Sequence, residues 1–138
     1  MKKLWRFGSG WLILLLILAP AAWAGDEEDE EKAVPEIEYL DVQPKLVVNL
    51  AGRHHYLRAD VQLMIKGKDN VERIRQHLPM VRHTLLMLFS DLPPDKVADV
   101  SEREKLREEA LHRIRKVLDR YSDSDGLKDV FFTEFLVQ

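Results

Sequence analysis

Cysteine is absent from the 138 residues. That excludes disulfides, thiol nucleophiles, thiolate metal sites and a cysteine-linked lipid anchor. Serine is scarce beyond residue 25, where only Ser90, Ser101, Ser122 and Ser124 occur. All four fall at expected helix ends or turns, where a cap or turn explains them. The patterns G-x-S-x-G and S-x-x-K and the glycine-rich phosphate loop are missing. A long apolar run is missing too. The longest, Trp11 to Ala19, has nine residues, against the roughly 20 that a membrane span prefers. An excess of positive charge is also lacking. Residues 1–24 carry three bases and no acid, so the net −3 of the chain becomes −6 for residues 25–138. Nucleic acid is therefore not an expected partner, since basic patches supply most of that affinity.

What is present begins with a leader. Lys2, Lys3 and Arg6 precede the apolar run, Pro20 ends it, and Ala22-Trp23-Ala24 has the small-x-small form of a signal-peptidase site. Two outcomes are open for residues 1–24: a signal peptide cut between Ala24 and Gly25, or a retained N-terminal membrane anchor. Length favours cleavage. The basic start stays in the cytoplasm in both cases, so the rest of the chain works on the far side of a membrane. Residues 25–38 contain six consecutive acids, Asp26 to Glu31. Such runs repel themselves, and the segment is expected to be an acidic disordered linker.

Residues 39–138 are expected to form one domain. After an extended approach, "EIEYLDVQ", "KLVVNL" and "HYLRADVQLMIK" read as an antiparallel hairpin turned at Gly52. In the second run Leu57, Ala59, Val61, Leu63 and Ile65 alternate with polar neighbours, so one face is buried. At ~35 Å this strand is long enough to project beyond the core. The period then changes. Val71, Ile74, Leu78, Val81, Leu85 and Leu88 form a helical stripe, with Asp69 or Asn70 as its cap and a kink or break at Pro79. "LLMLF" is apolar nearly all round and is expected to bury a surface against a neighbouring subunit through Leu86, Met87 and Phe89. After "DLPPDKVADV" comes a second helix, capped by a Ser101/Glu104 box, with Leu106, Ala110, Ile114, Val117 and Tyr121 facing inward. Glu109 and Arg113 make an i,i+4 pair on its solvated side. "DVFFTEFLVQ" is a strand with Phe131, Thr133, Phe135 and Val137 on one face. Both faces are rich in apolar residues, which predicts a central position in the sheet. The fold class is α+β: a small antiparallel sheet in β-β-α-α-β order with two packed helices. The expected core is Leu57, Val61, Leu63, Ile74, Leu78, Leu85, Ile114 and Phe135.

Chemistry is not expected. An EF-hand reading of Asp123, Asp125 and Gly126 would place Tyr121 and Phe132 where carboxylates are required. His54, His55, His77, His83 and His112 lack the spacing of a zinc site. No catalytic residue, metal or cofactor is assigned.

Five stretches together resemble the FliL family of flagellar basal-body-associated proteins: "YLDVQPKLVVNL", "YLRADVQLMIK", "HLPMVRHTLLMLFSD", "EKLREEALHRIRKVL" and "DVFFTEFLVQ". They run in the family's order from Tyr39 to Gln138. The resemblance implies a stomatin-type fold, a place at the basal body, association with the flagellar stator and other basal-body proteins, and self-assembly into a ring. Two features depart from the family pattern. The hydrophobic segment is short and ends in Ala-Trp-Ala, and Arg115 stands where the family commonly has Asn. The first departure leaves a second role open, that of a free periplasmic FliL-like binding protein acting elsewhere in the envelope.

Overall fold

The structure, a computed structural model, describes residues 34–121 and 124–138. The expected leader, its seam at Ala22, Ala24 and Gly25, and most of the acidic segment lie outside these residues. The described chain runs β1 (Ile37–Asp41), β2 (Leu46–Asn49), β3 (Tyr56–Lys66), α1 (Lys68–Gln76), α2 (Leu78–Phe89), α3 (Pro94–Ala98), α4 (Val100–Asp119) and β4 (Leu127–Val137). It is an α+β fold with helices on one side of a four-stranded antiparallel sheet. The β-β-α-α-β order holds as its outline, with three additions. The extended approach is a true strand, the proline at 79 divides the first helix, and "PDKVA" makes a short helix of its own.

Alternation makes β3 the centre of the sheet. Leu57, Ala59, Val61, Leu63 and Ile65 are all buried on the helical side. One edge of β3 pairs with β4 from Leu57 to Ile65. The other pairs with β2 from Tyr56 to Ala59 and with β1 from Gln62 to Lys66. The long strand is thus held along its length and does not project. It also takes the central place expected for β4, which pairs with β3 alone and lies at an edge.

The period-two reading of β4 fails for a physical reason. Its pairing with β3 shifts between Asp60 and Val61 and again between Met64 and Ile65, which leaves Thr133 and Lys128 as extra residues. Each bulge reverses the side to which following residues point. Phe132 and Phe135 consequently share the inner face, their rings stacked at 5.1 Å and 12°, while Phe131 lies opposite Gln62 on the outer face. Arg115 supports the bulge at Lys128, its Nη2 donating to the carbonyls of Leu127 and Lys128 at 3.0 Å each.

The core lies between the sheet and the helices. Leu57, Val61, Leu63, Ile74, Leu85 and Ile114 are buried; Leu78 and Phe135 are half-buried against the same cluster. On α4 the inward stripe is Ala110, Ile114 and Leu118. Val117 is half-buried and Tyr121 exposed, so the stripe drifts one residue from its expected end. Tyr121 instead stacks on His77 at 4.5 Å.

The helix starts also differ from expectation. α1 is entered through Gly67 at φ 89°, a left-handed conformation that favours glycine. Neither Asp69 nor Asn70 caps it; the Asn70 amide donates to the Lys66 carbonyl at 2.7 Å. α4 starts at Val100, two residues before the expected box can act. Its cap is Asp99, whose Oδ1 accepts from the Glu102 backbone N–H at 2.9 Å. Asp99→Ala is therefore expected to cost about 0.5–2 kcal/mol, whereas Ser101→Ala stays near zero. Paired thermal or denaturant melts check this, and equal losses would restore the Ser101 assignment.

Candidate interaction surfaces

Helices cover one face of the sheet and leave the other open. On that open face the exposed apolar members are Ile37, Tyr39, Val47, Tyr56 and Leu136. Tyr39 and Phe131 approach across β3 with ring centroids 6.5 Å apart. Between these patches runs a charged belt. Lys45 Nζ lies 2.6 Å from both Asp60 and Glu134, and Arg58 reaches Glu134 at 4.0 Å. Gln62 donates to Asp41 at 2.8 Å. The belt ties β4, β3 and the start of β2 together by side chains alone.

Its electrostatics are mutual. The Lys45 hydrogen bond holds the Asp60 carboxyl below its ordinary value, and hydrogen bonds to Asp60 and then Glu134 raise the Lys45 ammonium. A lowered carboxyl stabilises the fold above its unfolded value, about 3.9, and loses that contribution as pH falls through the folded value. A raised amine stabilises below its unfolded value, about 10.4, and loses that contribution as pH rises through the folded one. The belt's contribution should thus be flat across neutral pH and fade at both extremes. Lys45→Met is expected to flatten the acid limb of the stability curve relative to the unsubstituted protein. Identical acid limbs would count against the pairing.

Two of the grooves on the helical side run along α4. One, of about 380 Å³, runs between the start of α4 and β4, lined by Val100, Arg103, Arg107, Phe132 and Phe135 among others. The Arg103 guanidinium stands 6.0 Å from the Phe135 ring, and Arg107 bridges Glu104 and Asp129. The other lies between α2 and the second half of α4. It comprises adjoining depressions of about 410 and 290 Å³ that share Thr84, Val117 and Arg120. Pro79, Met80 and Val117 supply its apolar parts and His83, His112, Lys116 and Arg120 its cationic and polar rim. Glu109, the acid on that rim, is taken up by Arg113 at 2.6 Å.

The three residues expected at an interface separate. Met87 is 61% exposed and Leu86 half-buried against the core. Phe89 is 0% exposed and is corrected from interface to core. Its ring meets Phe132 and Phe135 edge-on at 5.4 and 5.7 Å. The apolar surface of "LLMLF" is thus largely satisfied within the chain. Sequence reasoning missed the open sheet face, although the exposed Tyr39, Tyr56 and Leu136 lie at its polar register positions. Among the described residues no group of His, Asp and Glu could hold a metal ion, and no helix is long and apolar enough to cross a membrane.

Comparison with known proteins gives a consistent result. The family described as "Flagellar basal body-associated protein FliL" matches residues 39–138. The chain is 29% identical over 109 residues to the flagellar protein FliL of Aquifex aeolicus, covering 77% of this chain and 65% of that one. It is 24% identical over 132 residues to the flagellar protein LafL of Vibrio parahaemolyticus, covering 94% and 77%. Escherichia coli FliL is 24% identical over 115 residues, covering 83% and 74%. The chain thus spans just under two thirds of the length of the Aquifex relative.

Proposed function

This chain belongs to the FliL family of flagellar basal body-associated proteins, and from that premise we propose that it is a non-enzymatic accessory protein of the flagellar motor. It works in the periplasm beside the stator, self-assembled into a ring. The observation that carries this reading is the extent of the family match. Residues 39–138 take in three of the five residues of β1 and every later element, so the resemblance is to the whole domain and not to one motif.

Physical features support a binding role. The open sheet face joins exposed aromatic and aliphatic side chains with a fixed charge belt, the composition of a surface that meets protein. In the grooves Glu104 pairs with Arg107 and Glu109 with Arg113, while Lys116 and Arg120 make no ion pair among the described residues. The basic start before Trp11 supports export of the domain. Ala22, Ala24 and Gly25 form the cleavage site, and the mature chain begins at Gly25. N-terminal sequencing or intact mass of the native protein tests this. A full-length chain that stays in the membrane after alkaline wash contradicts it.

The motor role is tested by in-frame deletion of the gene with complementation. Swimming, swarming or torque should change on deletion and return with the intact chain. Flagella that assemble and rotate identically with and without the protein would argue for work elsewhere in the envelope.

A further inference from the structure

We propose that copies of this chain join head to tail, the acidic junction between α3 and α4 on one copy seating in the α2–α4 groove of the next. The proposal rests on the ring reading above and names its contact. Three observations lead to it.

The first is that the helical layer is electrically polarised. Residues 91–99 carry three acids, Asp91, Asp95 and Asp99, against one base, Lys96. Residues 112–120 carry four bases against one acid, Asp119. Of these bases Arg113 is paired with Glu109 and Arg115 is held by backbone carbonyls. Lys116 and Arg120 make no ion pair among the described residues, and both line the groove.

The second is shape and polarity. Val100 is 72% exposed at the start of α4, an apolar knob beside Asp99 and close to Asp95. The groove offers the complement: apolar Met80 and Val117 with Lys116 and Arg120 at the rim. One copy therefore carries both halves of a contact that is apolar at its centre and oppositely charged around it.

The third is geometry. Residues 100 and 116 are separated by a helical rise of about 24 Å, so a single copy cannot close the contact on itself. Knob and groove are different surfaces, which makes the contact heterologous. Such contacts give rings or open filaments and not two-fold dimers. Strand addition is a poor competitor. The outer edge of β4 is bulged at Thr133 and Lys128, and the opposite edge is two short strands parted by Pro44 and Lys45. Both are devices that blunt edge pairing.

The absence of cysteine gives a clean test. Asp95→Cys and His112→Cys are introduced together into the protein expressed from its own gene, and intact cells making it are oxidised. A ladder of disulfide-linked multimers is expected, with at most a dimer from either cysteine alone. In parallel, the self-association of the native protein purified from those cells is measured. Lys116→Glu and Asp95→Lys should each weaken it roughly tenfold. An equimolar mixture of the two variants should recover most of the loss, because reversed groove meets reversed knob. Unchanged thermal melts keep folding out of the comparison. Multimers that form without the ladder and ignore both charge reversals overturn this contact and leave ring assembly standing. A native protein that stays monomeric in the cell overturns both.

Discussion

Leu63→Ala is expected to remove about 2–5 kcal/mol from the free energy of unfolding. That is a large share of the 5–15 kcal/mol typical of a whole domain. Leu63 is 0% exposed and sits in the middle of β3, level with Leu40 on β1 and Val130 on β4. Its side chain therefore closes the core where three strands meet. Truncation leaves a cavity that two paired edges prevent from collapsing, which places the cost toward the upper part of the range. Equilibrium denaturation in urea measures it. An unchanged midpoint would mean that β3 does not run through the core in this register.

Phe89→Ala is expected to cost about 3–5 kcal/mol. The ring is fully buried and packs edge-on against both Phe132 and Phe135, so the substitution removes apolar area and two aromatic contacts together. Met87→Ser, two residues earlier on the exposed side of α2, should stay within about 0.5 kcal/mol. The contrast is the useful quantity. Denaturation midpoints that fall for Phe89 and hold for Met87 agree with Phe89 as core. A Phe89 variant that melts normally but fails to associate would return it to an interface.

Much of the fold is legible in the sequence where one periodicity runs undisturbed. The eleven residues of β3 alternate without interruption, and burial follows them. The 3,4 stepping from Val71 to Leu88 survives the break at Pro79, because α1 and α2 continue to face the same core. Legibility fails where the period is interrupted or the partner lies far away in sequence. The bulges at Thr133 and Lys128 turn β4 twice, so a two-residue period puts Phe132 and Phe135 on opposite faces when they share one. Phe89 looked surplus because the phenylalanines that cover it are more than 40 residues away. β1 escaped because Ile37 and Tyr39 are both exposed, leaving Leu40 as its one buried residue. The cap of α4 lies two residues before its expected place because both Asp99 and Ser101 can fill the position.

The interaction surfaces were harder to foresee. Lys45, Asp60 and Glu134 come from three separate segments, and only the register of β3 with β4 brings the two acids side by side. No local pattern marks such a belt. The groove between α2 and α4 likewise depends on which turns of two helices face each other. The family resemblance supplied what local patterns could not, since five stretches in register identify a whole domain.

The central claim is that this domain is a ring-forming part of the flagellar motor. Electron cryotomography of basal bodies in intact cells tests it most directly, comparing averages from cells with the gene, without it, and with the full chain restored. Periplasmic ring density around the stator should be present in the first, absent from the second and recovered in the third. Averages that match in all three, with the protein detected away from flagellar bases, would contradict the account.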